Sequence, residues 1–186
     1  MKNKILLLLT GLFLLFSCKK SIQPEVYIEH IEKGNNISVT AQAALLTKVA
    51  TAIQTGGTAF AVEYCNTEAS GVTDSLNAVF NCKISRVSAK NRNPENALQS
   101  VTDKKLWAIF EKGSVTDTVV KNGKKLIYYK PIKTAMPACL KCHGIAQTDI
   151  DSATVEKIAT LYPADLATGY NLNDFRGMWK VEFSMP

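Results

Sequence analysis

Two cysteines and a histidine form a C-x-x-C-H pattern at Cys139, Cys142 and His143. Two thiols separated by two residues can each add to one vinyl group of a haem, which gives two thioether bonds. The histidine that follows is then held beneath the porphyrin, where its imidazole can bind the iron. The pattern therefore predicts one covalently bound c-type haem, with His143 as the proximal ligand.

Two other kinds of site use a C-x-x-C pair. A zinc site needs a second pair of Cys or His ligands at a matching spacing, and the sequence has none. A thioredoxin-like redox pair is expected within a βαβ pattern, which does not surround Cys139 and Cys142. Both alternatives are therefore less favoured than haem attachment.

The first residues resemble a bacterial export signal. Lys2 and Lys4 form a basic start, and the apolar run at 5–16 is too short for a comfortable membrane span. The run ends in a pattern similar to a lipobox, in which Cys18 would become the lipid-carrying N-terminus; the alternative is an ordinary signal peptide with an incidental cysteine. We expect a periplasm-facing lipoprotein anchored at the outer membrane, which agrees with haem attachment outside the cytoplasm.

Charge and length limit the partners and the domain number. The 186 residues carry a mildly basic formal net charge of +6 without a Lys/Arg block interleaved with aromatics, so nucleic acid is not an expected partner. The weak positive balance favours an acidic electron-transfer partner. We divide the chain into a leader at 1–17, a polar tether at 18–36 and one domain at 37–186.

Hydrophobic periodicity predicts helices first and a sheet afterwards. Predicted helices span 37–54, 58–69, 73–80, 95–111 and 152–161, and predicted strands span 83–88, 115–120, 125–132 and 177–184. Asn122-Gly123 is the strongest hairpin signal, and the segment after Pro137 opens the C-x-x-C-H on a loop or short helix. This order predicts an α+β fold with an N-terminal helical segment and an antiparallel sheet.

Cys65 and Cys82 remain once Cys18 and the haem pair are assigned. In an oxidising compartment, the default for two such cysteines is a disulfide. The alternative is that one of them binds the haem iron. The residues alone leave both alternatives open.

Several short segments together carry a family resemblance. They are Ile84 to Ser88, Asn91 to Asn96, Tyr129 to Ile132, Cys139 to Gly144, Tyr162-Pro163, Ala167 to Tyr170 and Arg176 to Trp179. This combination resembles the Tll0287-like, DUF3365 domain of bacterial c-type haem proteins, from about Ala41 to the C-terminus. The resemblance implies a PAS-like antiparallel sheet with helices packed around one covalent haem.

The resemblance also bears on the second iron ligand. Some members of this family bind haem through His and Cys, which implies Cys65 as a distal thiolate ligand. Cys82 has no counterpart in the family pattern, so the resemblance favours ligation over the disulfide. Met178 is the next candidate for this ligand, and His30 follows it.

Arg86, Arg92 and Arg176 are candidates for binding the haem propionates. A guanidinium binds a carboxylate through two parallel hydrogen bonds, which suits this role. The alternative is that each arginine is solvated or bonds an acidic residue such as Asp174.

A covalent haem in an exported chain is compatible with three functions. The favoured one is a redox or small-ligand sensor, because the family includes sensor modules; no kinase or cyclase sequence follows here, so we expect a partner protein to supply the output. The alternative is a monohaem electron-transfer cytochrome c. A haem enzyme is least favoured, because the chain has only two histidines and no evident distal base.

Overall fold

The structure is a computed structural model that describes residues 22–185. The leader and the predicted lipid site at Cys18 lie outside these residues. The elements, in chain order, are α1 (Pro24–Phe80), β1 (Lys83–Val87), a 3-10 turn (Pro94–Asn96), α2 (Val101–Glu111), β2 (Thr118–Asn122), β3 (Lys125–Lys133), α3 (Pro137–His143), α4 (Ser152–Leu161) and β4 (Phe175–Ser184). Among the helices of residues 22–185, none is long and apolar enough to cross a membrane.

Helix α1 folds back on itself at Gly56 and Gly57, where the backbone is not helical. A straight helix of 57 residues would be about 85 Å long. Tyr27 near one end and Leu76 near the other nevertheless pack against the same core cluster. The two arms, before Gly56 and after Gly57, therefore run antiparallel, and the gap between the predicted helices at 37–54 and 58–69 is the turn between them.

The first arm begins at Pro24, inside the segment that was predicted to be a polar tether. Val26, Tyr27 and Ile31 are packed against the core that the arm shares with the sheet. Gly34 is buried against the ring of Tyr128, where a Cβ atom would clash. The tether prediction is wrong from Pro24 onward, because the polar residues that suggested it line only the solvent side of a helix.

The sheet has four antiparallel strands in the order β1-β4-β3-β2. The β2–β3 hairpin closes between Asn122 and Lys125, with Gly123 at a φ of 59° in the left-handed region that favours glycine. These elements confirm the predicted α+β class and the antiparallel sheet.

The two faces of the sheet are covered by different helices. Tyr128 and Trp179 belong to a cluster with the arms of α1, whereas Tyr129 and Met178 belong to a cluster with α2. This separation follows from strand geometry, because successive side chains point to opposite faces. Arg86 lies directly opposite Trp179 in the β1–β4 pairing, so it is on the α1 face.

The predicted helix at 95–111 is divided in the structure. A 3-10 turn covers Pro94–Asn96, and α2 begins only at Val101. Ser100 caps α2, and its side chain and that of Asp103 form a reciprocal capping box. The cap, rather than the earlier proline, therefore fixes where the helix begins.

Candidate functional site

The short helix α3 carries the C-x-x-C-H pattern. Cys139 and Cys142 are three residues apart in this helix, so they lie on the same side of it, and His143 is its last residue. Both cysteines are half-buried free thiols. The helix therefore presents two thiols and an imidazole together.

The protonation of His143 follows from its surroundings. Its Nδ1 lies 2.8 Å from the backbone carbonyl of Ala167, and a carbonyl can only accept, so Nδ1 carries the hydrogen. Burial lowers the pKa of His143 well below its usual value, and the positive charges of Arg176, Arg92 and Arg86 lower it further. The imidazole is therefore neutral, and Nε2 carries the lone pair that a metal ion would bind.

The loop between α4 and β4 holds the end of α3. The backbone N–H of Tyr170 donates to the carbonyl of His143 at 3.0 Å, and that of Gly169 donates to Gly144 at 2.8 Å. Gly169 has a φ of 75°, which glycine adopts without strain. The backbone of α3 is thus fixed beside the residue that accepts from the imidazole.

Arg92 is bound within the protein. Its Nε donates to Asp165 at 3.1 Å, and its Nη2 donates both to Asp165 at 3.3 Å and to the carbonyl of Cys142 at 2.7 Å. The sequence prediction of a propionate ligand did not include these internal partners. Asp165 was missed altogether, because an ion pair between residues 73 positions apart leaves no local sequence signal.

Arg176 occupies a β-bulge. Gly177 pairs with Ile132 and Phe175 pairs with Lys133, so Arg176 is an extra residue in β4. A bulge redirects a side chain, and here Nη1 of Arg176 donates to Ser88 and to the carbonyl of Lys90.

Two buried polar atoms in this region lack a partner among residues 22–185. They are Nε of Arg176 and the hydroxyl of Tyr170, whose ring lies 5.4 Å from the guanidinium carbon of Arg176. A buried donor without an acceptor is costly. The two atoms are therefore suited to an anionic acceptor that the chain does not supply, such as a haem propionate.

Arg86 is a third buried guanidinium. It forms no ion pair with a carboxylate in the part of the chain that the structure describes. Burial lowers the pKa of Arg86, and the nearby thiol of Cys65 acts in the opposite direction. A buried cation of this kind needs an anion beside it.

Cys65 lies in the second arm of α1, next to this group of arginines. Val62, one helical turn earlier, packs in a cluster that Cys142 also contacts. Burial raises the pKa of the Cys65 thiol, while Arg86 and Arg92 lower it. The pKa of Cys142 is raised to about 11 by burial, with Arg92 opposing the rise and Cys65 adding to it. The structure thus brings Cys65 to the C-x-x-C-H helix.

The alternative disulfide between Cys65 and Cys82 is excluded. The helix runs without interruption from Cys65 to Phe80, which at 1.5 Å per residue is about 22 Å. A disulfide requires Cα atoms within about 7 Å of each other. Both thiols are accordingly free.

The two other candidates for the second iron ligand lie elsewhere. Met178 is fully buried in the cluster on the α2 face of the sheet. His30 bonds the carbonyl of Val26 at 2.8 Å and packs edge-on against Phe183. Cys65, by contrast, lies close enough to the C-x-x-C-H helix to raise the pKa of Cys142.

The residues present fit a covalent haem. The donor set comprises two thiols, a neutral imidazole and a third thiol, and the surrounding arginines include two with unsatisfied charge or hydrogen-bonding capacity. Groups of three or more His, Cys, Asp or Glu suited to a bare metal ion are absent from the described residues. The arrangement therefore suits an anionic, iron-containing macrocycle better than an isolated cation.

Comparisons with known proteins agree with the fold. Residues 23–184 match the family model described as Tll0287-like. A solved structure, that of the cyanobacterial heme-protein Tll0287, is similar with a TM-score of 0.65 and 21% identity, covering 88% of this chain and 97% of that chain. At this identity the likeness shows the fold alone. No curated protein matches.

Proposed function

This chain belongs to the Tll0287-like family, and on that premise we propose that it is a periplasm-facing lipoprotein with one covalent haem c that acts as a redox or small-ligand sensor. The observation that carries the proposal is the helix with Cys139, Cys142 and His143, in which Nδ1 of the imidazole donates to the carbonyl of Ala167 and burial disfavours the charged form.

The two cysteines would attach the haem. In each thioether bond, the thiol sulfur adds to one vinyl carbon and the thiol hydrogen goes to the other, so the step consumes no oxidant or reductant. Both Cys139 and Cys142 must be reduced for this addition, as they are in the free-thiol form. When bound, the haem supplies a one-electron iron couple.

The arginines would hold the carboxylates of the haem. Nε of Arg176 and the hydroxyl of Tyr170 are buried donors that need an acceptor, and Arg86 is a buried cation without a carboxylate partner among residues 22–185. A propionate would accept hydrogen bonds from Arg176 and Tyr170 and would neutralise the charge of Arg86 through charge-assisted hydrogen bonds. Arg92 differs, because Asp165 and the Cys142 carbonyl already occupy its Nε and Nη2.

We assign the distal position to the Cys65 thiolate. Burial raises the pKa of the Cys65 thiol, but the positive charges of Arg86 and Arg92 lower it, and coordination to iron would favour the deprotonated thiol further. A thiolate is a strong anionic donor that stabilises ferric iron and gives a low reduction potential. Because Cys65 lies on the second arm of α1, a change at the iron would reach this helix, and a partner protein could detect it.

The distal ligand can be tested with a matched pair of variants. We expect the ferric optical and electron paramagnetic resonance spectra to show low-spin thiolate ligation in the wild type and in Cys82→Ala, and to lose it in Cys65→Ala. Cys82 is a suitable control because it is another half-buried thiol, two residues beyond the far end of the same helix. Retention of the signature in Cys65→Ala would refute the assignment.

A monohaem electron-transfer cytochrome is the second candidate. The tightly held imidazole favours it, because His143 is fixed by Ala167 and by the loop that binds α3, and a carrier needs little reorganisation. Optical spectra of both oxidation states, with and without CO, separate the two functions. A sensor should bind CO at a position vacated on reduction, whereas a carrier should keep both ligands and exclude CO.

We propose no catalytic turnover for this haem. His30, the other histidine of the described chain, is bonded to Val26 and packed on Phe183, so it is not placed as a distal base. The partners that we propose are a membrane, through the lipid on Cys18, and a redox or signalling protein, with no nucleic acid. Robust peroxidase activity of the purified holoprotein would overturn this part of the proposal.

A further inference from the structure

An unbroken series of contacts connects Arg92 to the imidazole of His143. Arg92 forms two hydrogen bonds with the carboxylate of Asp165, at 3.1 Å and 3.3 Å. Oδ1 of Asp165 also accepts from the backbone N–H of Ala167 at 3.0 Å. The carbonyl of Ala167 in turn accepts from Nδ1 of His143 at 2.8 Å. The position of the acceptor that His143 uses therefore depends on an ion pair that does not touch the imidazole.

The same guanidinium also holds α3 directly. Nη2 of Arg92 donates to the carbonyl of Cys142, the residue before His143, at 2.7 Å. The side chains of Arg92 and Asp165 are only 12% and 8% exposed, so water screens the pair weakly. Because a guanidinium is planar and its donors have fixed directions, three such bonds set the distance between α3 and the loop that carries Ala167.

We propose that Arg92 and Asp165 are a positioning pair that fixes the tautomer and the orientation of the proximal imidazole, and thereby sets its donor strength toward iron. A carbonyl that accepts from Nδ1–H keeps the hydrogen on that nitrogen and makes Nε2 a stronger donor. The part that concerns iron rests on the proposed haem attachment, whereas the part that concerns the tautomer does not.

Three substitutions separate positioning from general stability. Arg92→Lys keeps the charge, but an ammonium group cannot bind both carboxylate oxygens and the Cys142 carbonyl in the same plane. Asp165→Asn keeps an acceptor for the N–H of Ala167 and loses the charge, whereas Asp165→Ala loses both. The matched control is Lys125→Gln, which breaks an ion pair with Glu182 of 2.7 Å that has no connection to His143.

The first test uses the full chain with Cys139→Ala and Cys142→Ala, which takes up no covalent haem. Nitrogen-15 NMR should show His143 with its hydrogen on Nδ1, and Lys125→Gln should not change this. We expect Asp165→Ala to shift the tautomer equilibrium of His143 toward the Nε2–H form, and Asp165→Asn to shift it less. An unchanged tautomer in Asp165→Ala would overturn the proposal.

The second test uses the holoprotein. Loss of the positioning should weaken His143 as a donor, so Arg92→Lys and Asp165→Ala should raise the midpoint potential and lower the iron–histidine stretching frequency of the ferrous protein. Lys125→Gln should change neither. Variants that lose stability without changing the midpoint potential or the stretching frequency would show a structural role only.

Two further outcomes keep this inference separate from the proposed function. If the wild type carried no haem, the proposed function would fail, but the tautomer test would still decide the inference. If Asp165→Ala did not fold, the tautomer of Arg92→Lys would decide the inference.

Discussion

Buried charged groups occur in two regions of this molecule, and they are satisfied differently. In the first turn of α2, Asp103 accepts from the hydroxyl of Tyr129 at 2.7 Å and from the backbone N–H of Ser100 at 2.9 Å. It also forms an ion pair with Lys180 at 3.2 Å. In the candidate site, Nε of Arg176 and the hydroxyl of Tyr170 have no partner among the described residues.

The difference distinguishes a structural network from a binding site. A fully satisfied network gains the electrostatic strength of a low-dielectric interior. A partly satisfied one is costly, and it persists in a folded protein when a group from outside the chain completes it. Substitutions in the first region should therefore destabilise the protein whether or not haem is bound, whereas those in the second should be costly only when haem is bound.

Asp103→Ala should have the largest effect on stability. It leaves the buried Tyr129 hydroxyl and Lys180 without their shared acceptor and removes half of the capping box of α2. We expect a loss of about 3–5 kcal/mol in the free energy of unfolding, measured by urea denaturation. The exposed pair of Lys125 and Glu182 is the control, since Lys125→Gln should cost less than about 1 kcal/mol. Equal losses of unfolding free energy in Asp103→Ala and Lys125→Gln would show that the network of Asp103 is no more stabilising than the pair of Lys125 and Glu182.

Arg176→Met should have an intermediate effect that depends on haem. Without haem, in the Cys139→Ala and Cys142→Ala background, methionine removes an unsatisfied buried Nε, which offsets the loss of the Nη1 bonds to Ser88 and to the carbonyl of Lys90, so the free energy of unfolding should change by less than about 1 kcal/mol. With haem attached, the same substitution should cost about 1.5–3 kcal/mol, because a charge-assisted bond is lost. A similar loss in both forms would show that Arg176 is structural.

The pH dependence should give the smallest effect. Burial would raise the pKa of Asp103, but the hydrogen bonds from Tyr129 and Ser100 and the charge of Lys180 outweigh it and lower the pKa. Asp103 therefore contributes stability above the unfolded-state pKa near 3.8, and this contribution is lost as the pH falls through the lower folded-state pKa. Acid titration of stability should be steeper below about pH 4 for the wild type than for Asp103→Asn. Parallel titration curves would contradict this assignment.

Local signals made part of this structure predictable from the sequence. The C-x-x-C-H pattern is recognised from five consecutive residues, and the hairpin at Asn122-Gly123 is recognised from two. The glycine pair at Gly56 and Gly57 likewise marked the turn within α1. The helix at Ser152–Leu161 was predicted with the same bounds, because a polar capping residue at its start and the proline after its end define it locally.

Long-range contacts were the part that the sequence did not reveal. The helix that begins at Pro24 was taken for a tether, because Gly34 reads as a helix breaker until Tyr128 is placed against it. Arg92 was a candidate for a propionate, and its pairing with Asp165 could not be predicted because it depends on the fold of the 72 residues between them. Cys65 and Cys82 remained a possible disulfide until the continuous helix separated them.

The central claim is that Cys139 and Cys142 hold one haem by covalent bonds, and intact-mass spectrometry of the denatured protein tests it most directly. The protein should be produced with a working haem-maturation system, beside the Cys139→Ala, Cys142→Ala double variant. The wild type should carry the added mass of one haem and keep its haem stain on a denaturing gel, while the double variant should carry none. A wild-type protein that loses all colour and shows only the mass of its polypeptide would contradict the claim.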